Sequence, residues 1–85
     1  RPPMHGGEVQ DARISENLMV YGKRHQLSER EQEVLHLVLL GNDNQNIAST
    51  MHLALSTVKV HVHNILQKSG QANRQELIRD FWRMS

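Results

Sequence analysis

Between Ser56 and Gly70 the apolar residues Val58, Val62, Ile65 and Leu66 recur at i, i+4, i+7 and i+8, the spacing of one stripe along an α-helix. That stripe requires a core. The opposite side of the same wheel carries Ser56, Val60, His63, Asn64 and Gln67, with Lys59, Thr57 and Lys68 on its flanks. Val60 stands alone there, an apolar group among hydrogen-bonding and cationic ones. A helix over 56–69 is expected, closed by Gly70 as a left-handed cap. Taken by itself, the stretch is equally an ordinary amphipathic helix with a solvated polar side.

Four further segments share the helical period. From Val9 to Arg24, Ile14, Leu18 and Tyr21 recur at i, i+4 and i+7, predicting an amphipathic helix that ends near Gly22. Its role is to cover the core of the domain downstream, or to couple that core to an upstream sensor. Ser28 followed by Glu31 is a capping-box arrangement, and the helix it opens carries Val34, Leu35, Leu37, Val38, Leu39 and Leu40 before stopping at Gly41. Val34, Leu35 and Val38 are the expected core residues. After Asn42-Asp43-Asn44, a short helix from Gln45 to Met51 buries Ile47, Ala48 and Met51. Asn73, with Glu76 three residues on, caps a last helix bearing Leu77, Ile78, Phe81, Trp82 and Met84. Its apolar sector spans about 160°. Leu77 and Phe81 fill the core, which leaves Ile78 and Trp82 at an edge suited to a second copy of the chain, unless a small core uses the whole sector.

No strand pattern or internal repeat interrupts these helices, so the fold class is all-α. Paired prolines and glycines in residues 1–8 read as a flexible tail or linker. Residues 9–26 make the N-terminal helix and its linker, and residues 27–85 one small helical domain. The last two helices before residue 70 are separated by about four residues, and the second has a polar outer face. This is the helix-turn-helix layout.

Composition changes the picture at three points. The net charge is +1, but residues 27–55 hold one cation against four acids, and residues 56–85 hold five cations against two. The C-terminal part is thus the better partner for an anion, with a modest footprint that predicts weak DNA binding by one copy. The absence of cysteine removes disulfides and thiolate metal sites and fits a reducing compartment. No apolar run reaches the roughly 20 residues of a bilayer span. The expected location is the cytoplasm, whether or not a longer parent chain is membrane-attached.

With neither a cysteine nucleophile nor a glycine-rich phosphate loop, the sequence does not read as an enzyme. No cofactor is expected. His61 and His63 point about 200° apart on a helix and cannot share a metal ion. The rival reading is a helical interaction or dimerisation module, which has no use for Lys59, Val60 and His63 facing outward together.

Several stretches resemble the C-terminal DNA-binding domain of LuxR/NarL-type transcriptional regulators. They are Leu27-Ser28-Glu29-Arg30-Glu31-Gln32-Glu33-Val34-Leu35, Gly41, Asn44 with Ile47-Ala48, Ser56 to Val62, Asn64-Ile65-Leu66 with Lys68, and Asn73-Arg74. The resemblance implies a four-helix helix-turn-helix domain, here preceded by the additional amphipathic N-terminal helix, with the 56–69 helix in the major groove of double-stranded promoter DNA. It also implies dimers, often meeting through the last helix at Ile78 and Trp82, an upstream sensor domain, and RNA polymerase as a further candidate partner.

Carried over, Lys59, Val60 and His63 sit where the family reads bases, and Thr57 where it anchors a phosphate. Ser56, Gln67, Lys68, Asn44, Gln45 and Arg74 complete the expected backbone contacts. His61 packs at the edge of the stripe or meets a phosphate. Gln45 replaces a frequent lysine, removing one charge from that set. Ala54 stands where Ser or Thr often caps the recognition helix, so Ser56 is expected to take over. Ser69 and Gln71 replace apolar residues, predicting a looser junction before the last helix.

Overall fold

A computed structural model describes the backbone of residues 6–84 and the side chains of residues 14–84. Five helices follow one another: α1 (Gly6–His25), α2 (Glu29–Leu39), α3 (Asn44–Met51), α4 (Leu55–Ser69) and α5 (Arg74–Met84). No strand occurs among the described residues.

Two boundaries depart from expectation. Residues 6–8, assigned to a flexible tail, are helical; residues 1–5 of that tail lie outside the described residues. Glycines cost little in a first turn, whose N–H groups have no intrahelical partners in any case. At the other end α1 does not stop at Gly22 but runs to His25, and the left-handed residue is Gln26, at φ +58°. The amide of Leu27 donates to Gly22 O at 2.8 Å and that of Gln26 to Lys23 O at 3.4 Å, the paired bonds of a Schellman cap. Gly22 serves a different purpose. A Cβ there would stand 2.5 Å from Nε2 of Gln32 on α2, so the missing side chain lets the two helices approach closely.

The capping box at the head of α2 is fully formed. Ser28 Oγ accepts from Glu31 N at 3.1 Å, and Glu31 Oε1 accepts from Ser28 N at 2.8 Å. Gly41, at φ +94°, ends the helix with its amide on Val38 O and that of Asn42 on Leu37 O. Asp43 caps α3 through Asn46 N at 2.8 Å. Left-handed His52 closes it, and Leu53 N returns to Ala48 O.

Three residues separate α3 from α4. The N-cap of α4 is Ala54, which makes no side-chain capping bond. Ser56 does not take over, because the helix begins one residue before it and places it inside the first turn. Gly70 ends α4 in the left-handed conformation at φ +73°. Asn73 Oδ1 accepts from Glu76 N at the start of α5.

α4 packs on α2, α3 and α5, while α1 lies against α2 and α5. The core joins Val34, Leu35 and Val38 of α2 and Ile47 and Ala48 of α3 to Val58 and Ile65 of α4 and Leu77 and Phe81 of α5. Leu18 and Tyr21 of α1 extend this core, and Ile14 is buried on the same stripe. Met51, Val62 and Leu66 pack at its margin, half-buried, whereas Leu40 is exposed. Each fully buried Leu, Val, Ile or Phe side chain contributes roughly 1.5–3 kcal/mol relative to exposure. Ser69 is buried too, its hydroxyl donating to Ile65 O at 2.8 Å, and Gln71 Nε2 donates to Ser69 O. The polar residues at this junction are therefore satisfied internally.

Candidate nucleic-acid interface

The two faces of α4 are separated cleanly. Val58 and Ile65 are fully buried, while Val60, two residues from Val58, is 56% exposed. Ser56, Val60, His63 and Gln67 are all exposed and follow one line at i, i+4, i+7 and i+11, with Lys59 and Thr57 exposed on either side. His61 and Asn64 are half-buried at the boundary. The structure thus brings Lys59, Val60, His63, Thr57, Ser56 and Gln67 to one surface. That surface offers a cation, hydroxyls, an amide and one isolated aliphatic group.

Leu55 adjoins this surface at the first position of α4, 38% exposed. The N-terminal turn carries no acidic residue and no side-chain cap, so the positive end of the helix is left uncompensated from within.

Two residues expected to contact the DNA backbone also make contacts within the fold. Lys68 Nζ donates to Glu31 Oε1 at 2.7 Å and to Gln26 O at 3.3 Å. The Glu31 side chain is 6% exposed. Lys68 is exposed at the flank of α4, and these two acceptors take two of the three N–H donors of its ammonium. Burial pushes the Glu31 carboxyl upward, but the Lys68 ammonium and the Ser28 N–H outweigh it and hold it below the ordinary glutamate value.

Arg74 is the second. Its guanidinium donates to Asn44 Oδ1 at 2.7 Å and to Asn42 O, tying the start of α5 to the α2–α3 loop and the start of α3. Burial lowers its pKa, and the nearby Asp43 carboxylate partly offsets that. A guanidinium remains charged in either case. Asn44 is half-buried by this contact, while Gln45 beside it is exposed.

The sequence held a signal for the first pairing. Glu31 stands at i−3, i−4 and i−7 from Val34, Leu35 and Val38, so the capping glutamate shares the core face of α2 and requires a cation. Ile78 and Trp82 are half-buried on α5, packed against the core, and Trp82 meets the edge of Phe81 with centroids 5.2 Å apart.

A short helix with a buried stripe, a three-residue turn and a second helix with a solvent-facing hydrogen-bonding line correspond to a known group of sequences. The profile described as bacterial regulatory proteins, luxR family, matches residues 25–81. The chain belongs to this family. Its helix-turn-helix is the part it shares with transcriptional regulators of that family.

The HTH-type transcriptional regulator MalT of Yersinia pestis (strain Pestoides F) is 40% identical over 58 residues, which cover 68% of this chain and 6% of MalT. The response regulator protein VraR of Staphylococcus aureus (strain Mu3 / ATCC 700698) is 46% identical over 52 residues, covering 61% of this chain and 25% of VraR. The chain thus spans a small part of the relatives it matches. No solved structure matches it significantly. α1 falls almost wholly outside the family match. Among the described residues no helix is long and apolar enough to cross a membrane.

Proposed function

We propose that this domain binds double-stranded promoter DNA sequence-specifically as the cytoplasmic output domain of a bacterial transcriptional regulator, with α4 in the major groove. The observation that carries this reading is the exposed line Ser56, Val60, His63 and Gln67, flanked by Lys59 and Thr57, on a helix whose other side is buried at Val58 and Ile65 and half-buried at Val62 and Leu66. The major groove admits one helix and presents acceptors, donors and thymine methyls. Lys59 is placed to reach a guanine edge or a phosphate, Val60 a thymine methyl, and His63 a base edge. Thr57, Ser56 and Gln67 fix the register on phosphates, together with Asn44 and Gln45 at the head of α3. The open N-terminus of α4 adds a favourable end for a phosphate.

A single copy has few cations on this surface, so useful affinity calls for two. In this reading two copies dock in successive major grooves about one helical turn apart, meeting through Ile78 and Trp82 of α5. An upstream sensor domain controls the pairing, and RNA polymerase is the partner that reads the result.

The test is selection of random-sequence duplexes by the purified 85-residue chain at physiological salt, followed by sequencing. Enrichment of a motif with two related half-sites is the expected outcome. Absence of any enriched motif, with only weak salt-sensitive binding, would sink the sequence-specific reading for this chain and favour an interaction module.

A further inference from the structure

Arg74 is donor-only: its guanidinium has five N–H groups and no acceptor. The atom of Asn44 that faces it at 2.7 Å is therefore the carbonyl oxygen Oδ1, and the amide NH2 of Asn44 must point away. No acceptor among the described residues takes that NH2. The guanidinium is itself anchored on Asn42 O in the α2–α3 loop, so it holds its place without help from Asn44. The neighbouring Asp43 is already engaged as the cap of α3, accepting from Asn46 N.

We infer that Arg74 is a positioning residue for DNA binding: it fixes the Asn44 side-chain amide with the nitrogen outward, as a donor ready for a backbone phosphate. The inference rests on the reading that this face meets DNA, and it moves Arg74 from touching phosphate to orienting the residue that does. An asparagine amide free to flip presents a donor or an acceptor to the phosphate. Only the donor binds it, and the wrong end places one oxygen against another. Fixing the flip before binding removes that loss and its ordering cost. Arg74 is half-buried, with its guanidinium engaged by Asn44 Oδ1 and Asn42 O.

Three variants of the full chain separate this role from a structural one. Arg74→Lys keeps a donor-only group, which still dictates the flip. Arg74→Gln offers a donor and an acceptor and dictates nothing. Asn44→Ala removes the phosphate donor. Affinities are measured for a random-sequence duplex at low salt, with folding checked by urea denaturation.

Asn44→Ala should weaken binding about tenfold, as a lost hydrogen bond to a charged acceptor does, Arg74→Gln about twofold, since an unbiased amide holds the binding flip half the time, and Arg74→Lys less than that. In the Asn44→Ala background, Arg74→Gln should cost nothing further. The Asn44 side-chain NH2 resonance of the wild-type chain should shift on adding the duplex. Additive losses from Asn44→Ala and Arg74→Gln would overturn the proposal, since Arg74 would then act on phosphate or on the fold by itself. So would an Asn44 amide unmoved by DNA while Lys59→Ala weakens binding. Were Lys59→Ala and Val60→Ala harmless as well, the docking of this face on DNA would itself have failed, and the inference with it.

Discussion

Tyr21 and Asp80 lie 59 positions apart and share a 2.7 Å hydrogen bond, the phenol of α1 donating to the carboxylate Oδ2 of α5. Asp80 Oδ1 stands 3.9 Å from Arg83, and the Tyr21 ring meets the edge of Phe81 with centroids 5.5 Å apart. Tyr21 precedes the first residue matched by the family, so this contact belongs to what α1 adds to the domain.

Tyr21→Phe keeps the ring and removes the donor. It should cost about 1.5–3 kcal/mol, the worth of a hydrogen bond to a charged group, read as a lower urea midpoint. DNA affinity should not change, because the outer face of α4 is not engaged. Burial, and then the Asp80 carboxylate, push the Tyr21 phenol above the ordinary tyrosine value. A folded pKa above the unfolded one gives stability that is present below about pH 10 and lost as pH rises through the folded value. Wild-type stability should therefore fall more steeply than that of Tyr21→Phe above about pH 10. Parallel alkaline profiles would show that the bond contributes nothing.

The Glu31–Lys68 pair titrates in the opposite sense. Its carboxyl is held below the ordinary value, so its contribution is complete above about pH 4.3, the unfolded value, and is lost as pH falls through the folded one. Lys68→Ala should cost about 1–3 kcal/mol at neutral pH, the penalty of an unpaired buried acceptor. It stays below the largest buried-pair values because the Lys68 side chain is 39% exposed. The expected sign on DNA is the informative part. If Lys68 serves the fold, the salt slope of binding is unchanged; a slope smaller by about one would return it to the phosphate-contacting set.

Local rules made most of this fold legible. The capping box at Ser28 and Glu31, the left-handed stops at Gly41 and Gly70, and the buried stripe of α4 all follow from residue type and spacing. Where the reading failed, a long-range contact had overridden a local preference. Gly22 looked like a terminator, yet Gln32 of α2 fills the space its missing side chain leaves, and Gln26 takes the left-handed position instead. Lys68 and Arg74 are expected as backbone contacts from the resemblance, and each also holds a partner within the fold. Their partners lie 37 and 30 residues away, beyond anything periodicity reports. The outer face of α4 was legible because it depends only on which side of one helix is buried.

Two substitutions on that face should differ in kind. Lys59→Ala should weaken binding to all duplexes by roughly 1–3 kcal/mol and reduce the salt slope by about one, with some loss of discrimination. Val60→Ala carries no charge change and should mainly reduce the preference for thymine at one position. Binding isotherms at several salt concentrations, run on the selected duplex and on one with that thymine replaced, separate the two effects. Unchanged affinity and preference in both variants would refute docking through α4.

On the α5 wheel, Ile78 and Trp82 stand about 160° round the helix from Asp80. α1 engages the Asp80 side through the Tyr21 hydrogen bond. The Ile78 and Trp82 flank remains the proposed meeting surface for a second copy. Trp82 is half-buried and also packs on Phe81, so its removal acts on both fold and pairing. Trp82→Ala should lower stability by about 1–2 kcal/mol, less than a fully buried aromatic costs. If the surface pairs, the dimer constant should fall by more than about tenfold, since centrally placed tryptophans carry a disproportionate share of interface energy. Sedimentation over a range of concentrations gives the second quantity and urea denaturation the first. A stability loss with self-association unchanged would remove α5 as the interface while leaving the single-copy docking of α4 intact.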